Sequence, residues 1–170
     1  MSVHMDPTPG RRSGFVCGNT RIAQPEGQVC TIADMVERLH RGSSPSGYSL
    51  DADGLVHLVH LTSVRREEGE AEVLLVELDD GTVVHATAGQ LFLGVDGDWV
   101  MAKDLSAGMR LLTVADPHQW KGAGGAPVER PLAPPRVVVE VRHAPPRAVY
   151  EFRVEQHHNL VHPCGIVLHD

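Results

Sequence analysis

Aromatic residues are scarce in this 170-residue chain, at 4%, with three Phe, two Trp and two Tyr. A core must therefore be built from Val, Leu and Ile. With 17 Gly and 12 Pro, that composition favours short strands and tight turns over long helices. Cysteine is also sparse. Three residues at irregular spacing exclude a disulfide framework and fit a reducing compartment, so the cytoplasm is expected. Positive charge is in deficit, with 15 Lys and Arg against 22 Asp and Glu and a net charge of −7. Nucleic acid is thus not an expected partner. No apolar run approaches the roughly 20 residues of a membrane span, and the first residues lack the apolar stretch of a secretory signal. What remains is one domain, long enough to bury its own core. It is expected to be a monomer, to leave membranes alone and to hold no cofactor.

Residues 1–14 carry Pro, Gly, Arg and Ser without periodicity and read as a flexible leader or flanking peptide. The domain is expected over residues 15–170. Two strands around the Pro25-Glu26-Gly27 turn open it. Thr31–His40 has apolar residues at helical spacing behind a capping Thr31. Arg41–Tyr48 reads as a loop, Leu55–Arg65 as an alternating strand, and Asp79-Asp80-Gly81 as a hairpin signal. Gln119–Pro135, rich in Gly and Pro, reads as a mobile loop. The pattern amounts to roughly ten short strands and one short helix, an all-β fold.

The segment Val149–Asp170 carries the most information. It reads as an alternating strand (Val149–Val154), a polar turn holding His158-Asn159, and a short apolar strand that stops at His169-Asp170. Chain ends fray unless something ties them down. A strand that delivers a histidine to the terminus suggests an end held in a functional centre.

Four blocks stand in order along the chain: Gly18-Asn19-Thr20-Arg21-Ile22 before the Pro25 turn, Thr87-Ala88-Gly89-Gln90, Gly97–Leu111, and the terminal His158-Asn159 with His169-Asp170. In this order they resemble the Hint (hedgehog/intein) superfamily, specifically a mini-intein or bacterial intein-like domain. The resemblance covers Phe15 to Asp170. The stretch Gln119–Pro135 is too short to hold the family's homing endonuclease.

The resemblance implies a compact horseshoe of short strands and a single-turnover, autocatalytic reaction: protein splicing or self-cleavage at flanking host-protein segments in cis. In the family, an opening Cys or Ser attacks the peptide bond before itself, and a thiol suits this because its thiolate is readily activated. A Thr-x-x-His block polarises that bond, and a penultimate His assists cyclisation of a terminal Asn. Thr87, His158 and His169 match. Three positions depart: Phe15, or Gly14 with a one-residue shift, stands where the nucleophile belongs, Gln90 where the block His belongs, and Asp170 where the Asn belongs. Cys17, two residues past the expected nucleophile, reads either as a displaced nucleophile or as a small buried hydrophobe. Cys164 is a second candidate nucleophile, and a Cys17–Cys164 disulfide would lock the site by redox state. Cys30 reads as core.

Two other readings compete. One is a degenerate Hint fold kept as a structural or interaction module. The other is a metal-binding β-domain, since His157, His158, His162, Cys164 and His169 lie close in sequence and His162 and Cys164 would share a strand face.

Overall fold

The computed structural model describes residues 14–115, 128–129 and 133–170. The expected leader at 1–14, apart from Gly14, lies outside the described residues, as does most of the expected loop at 119–135.

The described residues hold fifteen strands, two 3₁₀ turns and one α-helix. The first strands are β1 (Val16–Cys17), β2 (Arg21–Ala23) and β3 (Val29–Thr31). Helix α1 (Ile32–His40) follows, and its Thr31 cap accepts a hydrogen bond from the Asp34 amide at 3.2 Å. That bond satisfies one of the helix's orphan donors, as the Thr-x-x-Asp spacing predicts. The helix turns Ile32 and Met35 into the core.

Then come β4 (Ser46–Leu50), β5 (Leu55–Arg66), β6 (Ala71–Leu78), β7 (Val83–Ala86), β8 (Leu91–Leu93), β9 (Trp99–Met101) and β10 (Arg110–Leu111). The chain closes with β11 (Val128–Glu129), β12 (Arg136–Arg147), β13 (Val149–Val154), β14 (Asn159–Val161) and β15 (Val167–His169). The fold is therefore all-β, with more strands than the sequence suggested.

Every pairing is antiparallel. The largest sheet runs β10-β12-β6-β7-β1-β13-β5-β11, with β4 also on β5. A second sheet has the order β14-β15-β8-β9, and β2 pairs only with β3. Strand β5 explains how the large sheet curls. Its first half pairs with β4 and its second half with β13. The buried set is Val56, Val59, Leu61 and Val64. Val59 and Leu61 keep one face across the change of partner, and the face shifts on either side of it, between Val56 and Val59 and between Leu61 and Val64. The second shift falls where the ladder to β13 skips Thr62, so simple alternation fails along this strand. In β12 the ladder to β6 skips between Ala144 and Arg147, where Pro145 and Pro146 have no amide hydrogen to give.

Two sequence expectations need correction. The loop expected to run to Tyr48 gives way to a strand at Ser46, because Tyr48 is buried with Leu50 and Val56 and its backbone pairs with Leu58. The terminal segment contains two turns, not one. Asn159 begins β14, and a second turn at residues 162–166 reverses the chain into β15. Gly165 makes that turn possible. Its φ is +100°, and a Cβ there would fall 2.3 Å from the Val114 carbonyl oxygen.

The core is aliphatic, as the shortage of aromatics requires. Fully buried Leu61, Leu78, Leu111, Leu160, Ile166 and Leu168 share the main core cluster with two large rings, Phe92 and Phe152.

Candidate functional site

Strand β1 is only two residues long, yet it lies between β7 and β13 in the middle of the large sheet. Val16 faces Ala86 in the ladder, so the next pair outward is Phe15 with Thr87. The Phe15 amide donates to Thr87 Oγ1 at 2.9 Å, and the Thr87 amide donates to the Phe15 carbonyl at 2.9 Å. The Thr87 hydroxyl also lies 3.4 Å from that carbonyl oxygen. Gly14 sits so close to the next turn that a Cβ on it would come within 2.4 Å of the Gln90 amide nitrogen. The Gly14–Phe15 peptide bond is thus laid along Thr87–Gln90.

The other end of the domain arrives on β15. Asn159 and His169 pair at the open end of the β14–β15 hairpin. The Asn159 carboxamide behaves like an added strand residue: Oδ1 accepts from Leu50 N at 2.8 Å and Nδ2 donates to Leu50 O at 2.9 Å. This clamp docks the hairpin onto β4.

Gln90 joins the two ends. Its backbone amide donates to Thr87 O, and its side-chain Nε2 donates to His169 O at 2.9 Å and to Leu91 O at 3.1 Å. The residue is fully buried, and among the described residues Oε1 has no hydrogen-bond partner. The Gln90 carboxamide is therefore spent on the terminal strand and on Leu91.

His169 Nδ1 lies 2.9 Å from the main-chain oxygen of Asp170, which belongs to an α-carboxylate in this structure. The Trp99 ring meets His169 edge-on, with centroids 4.9 Å apart, and fixes the imidazole plane. Asp170, with a side chain only 3% exposed, is held from two sides. Its Oδ2 accepts from the Val154 amide at 3.1 Å and lies 3.3 Å from His158 Nδ1. Its amide donates to His158 O at 2.9 Å. The His158 and His169 rings are nearly parallel, 13° apart in plane, with centroids at 6.4 Å.

Thr87, Gln90, His158, His169 and Asp170 are thereby brought together. The two candidate thiols lie apart from that group. Cys17 is buried on the sheet face among Val73 and Val149. Burial pushes its thiol pKa up, and the nearby Arg147 charge only partly offsets that. Cys164 sits in the closed turn of the β14–β15 hairpin, at the opposite end from His169. Burial pushes its thiol up as well. Cys17, Cys30 and Cys164 are all free, so no disulfide ties Cys17 to Cys164. Cys30 is in the main core. A buried neutral thiol is a poor nucleophile.

His162 is buried, and its Nδ1 accepts from the Cys164 amide at 3.0 Å. Burial, aided by the Arg21 charge and opposed by Asp80, lowers its pKa to about 4. That nitrogen is committed to shaping the turn. Among the described residues no three His, Cys, Asp or Glu side chains are grouped so as to hold a metal ion.

Sequence reasoning missed the Val154 amide and the Trp99 ring. It marked Asn159 within the terminal block but not its bonds to Leu50.

No protein-family model matches the chain. The DnaB intein from Synechocystis sp. PCC 6803 superposes with a TM-score of 0.71, at 18% identity, over 93% of this chain and 99% of that one. A variant of the Ssp DnaB mini-intein gives 0.74, at 19% identity, over 94% and 95%. A bacterial intein-like domain from Clostridium thermocellum gives 0.68, at 20% identity, over 94% and 100%. The chain thus has the Hint fold of mini-inteins and intein-like domains. In sequence it is similar to the DNA gyrase B protein of Synechocystis sp., 27% identical over 93 residues. That match takes in 55% of this chain and 9% of the gyrase protein. Among the described residues no helix is long and apolar enough to cross a membrane.

Proposed function

We propose that this Hint-fold chain is an intein-like self-processing domain whose working reaction is cleavage after Asp170 in a host chain that continues beyond it. One observation carries the reading: His169 Nδ1 stands 2.9 Å from the main-chain oxygen of Asp170, an α-carboxylate oxygen here that stands in for the carbonyl of the scissile peptide, while the Asp170 side-chain carboxylate is held by Val154 and His158. A carboxylate oxygen of Asp170 attacks its own main-chain carbonyl carbon. The C–O bond closes a five-membered anhydride as the C–N bond to the next residue breaks. His169 stabilises the oxyanion by hydrogen bonding and, as imidazolium, gives a proton to the leaving amine. Water then opens the anhydride and regenerates the carboxyl group. The net change is hydrolysis of one peptide bond.

On the other side, the cradle at Gly14–Phe15 is intact but has no nucleophile. Phe15 offers none, and Cys17 points into an apolar cluster. Ligation of the two flanks is therefore not part of the proposal. A sequence match confined to 9% of a much longer protein is what a domain inserted into a host protein gives, and flanking host segments in cis are the substrate. Three free thiols favour a host in the cytoplasm.

The test places the full chain between two folded reporter proteins and follows intact mass. The expected products separate after Asp170, and Asp170→Ala stops the reaction. If the parent and an Asp170→Asn, Gln90→His variant all stay whole, self-processing is wrong. The reading then left is an interaction module, favoured by the commitment of Gln90 to a structural bond with His169.

A further inference from the structure

The turn that presents His158 to Asp170 holds two consecutive non-glycine residues in left-handed backbone, His157 at φ 66° and His158 at φ 56°. L side chains adopt this conformation rarely, and two in a row persist only where the surroundings hold them. Two contacts do so. The Asn159 Nδ2 group donates to His157 O at 2.8 Å, which fixes the backbone as it enters β14. The second hold comes from the β4–β5 hairpin. The His157 ring lies against the His57 ring, with centroids 4.5 Å apart and planes 37° from each other.

His57 is itself anchored. Its Nε2 donates to Asp51 Oδ2 at 2.6 Å, and both side chains are mostly buried. Asp51 is locked in turn, because its other oxygen accepts from the Asp53 and Leu55 amides at 2.9 Å each. A carboxylate that fixes a histidine's tautomer and plane is a standard way to orient an imidazole. The path from a rigid turn to the site therefore runs Asp51, His57, His157, His158, Asp170. Asp51 and His57 lie outside every sequence block that carries the family resemblance, and no step of the cleavage uses them.

We propose that the Asp51–His57 pair is a positioning device for the centre at Asp170, setting through His157 the angle at which His158 meets the Asp170 carboxylate. The effect on rate rests on the C-side cleavage reading, whereas the positioning itself is read out separately. The charged or titratable groups facing His157 are His57 and Asp51 from the hairpin and His158 from its own turn, with Asp170 beyond. Burial, reinforced by His57, keeps His157 below the usual histidine range. In acid, a charge on the buried His157 ring weakens its packing against His57 and loosens the hold on His158.

The experiment uses two readouts. In the full 170-residue chain, NMR follows the His158 ring resonances in the parent, His57→Ala and Asp51→Asn proteins, with thermal melts to confirm folding. The expected result is that both variants move His158 toward the position of a freely rotating histidine. In the chain fused to a C-side reporter, His57→Ala slows cleavage about tenfold and His57→Phe, which restores a ring, recovers part of the rate. Asp51→Asn displaces the acid limb of the pH profile, a change that simple loosening of the fold would not produce. If His57→Ala fails to fold, the isosteric Asp51→Asn carries both readouts. Unmoved His158 resonances in the folded variants overturn the proposal whatever the rates do. Moved resonances in a parent that never cleaves leave the positioning standing and remove the cleavage reading.

Discussion

Gln90 donates from its side chain to the carbonyl of His169 across 2.9 Å while its backbone packs against Gly14. One residue thus touches both ends of the domain. Gln90→Ala leaves the His169 and Leu91 carbonyls without that donor in a buried place. A loss of about 1–3 kcal/mol follows from the desolvated acceptors. Urea denaturation of the variant beside the parent measures it, and an unchanged midpoint contradicts the bridging role.

The cradle around Gly14–Phe15 lacks only its chemistry. Phe15→Cys together with Gln90→His supplies a thiol and a proton carrier. An added small thiol is then expected to release the segment before residue 15. Adding Thr87→Val removes the hydroxyl that accepts from the Phe15 amide and slows that release about a hundredfold. Mass spectrometry of the released peptide reads both steps.

Acid sensitivity is expected to trace to His162. Its folded pKa is about 4 against an ordinary 6.5, so the unfolded chain takes up the proton first as pH falls. The native state keeps its full stability above pH 6.5 and loses up to about 3 kcal/mol on the way down to about 4, then levels off. His162→Asn, whose Oδ1 can still accept from the Cys164 amide, removes most of that slope. The remainder belongs to His85 and His157, both lowered chiefly by burial. Urea midpoints taken across this pH range decide the matter.

Asn159→Asp keeps an acceptor for the Leu50 amide but deletes both donors and sets a charge beside two carbonyl oxygens. The clamp should weaken by about 3 kcal/mol. Hydrogen exchange at the Leu50 amide should accelerate correspondingly, and unchanged protection there would count against the clamp.

Where structure is local, the sequence was enough. Thr31 and Asp34 announced the start of α1, and Asp79-Asp80-Gly81 announced the turn into β7, where Asp80 accepts from the Thr82 amide and Gly81 takes φ +84°. The strand at Ser46–Leu50 was hidden in a Gly/Ser/Pro-rich stretch, because its pairing is supplied by β5 and not by its own residues. The turn at Pro163-Cys164-Gly165 was lost inside what looked like one apolar run. In the site, Thr87, His158 and His169 stood out through motif resemblance. The Gln90–His169 bond joins residues 79 apart, and His57 meets His157 only through the packing of β5 on the terminal turn. No local pattern encodes such pairs.

The meeting of Gly14 and His169 at Gln90 has a consequence for any protein carrying this domain within its chain. Loop-closure entropy grows only slowly with the number of residues a loop contains. A folded guest whose entry and exit points lie side by side is felt by the host as a brief surface detour, so the host's own strands and helices can still find one another. Separating those two points, for example by breaking the Asn159 clamp that docks β14 and β15, would force the host's flanks apart. Damage to the guest's terminal hairpin should then register first as misfolding of the protein that surrounds it.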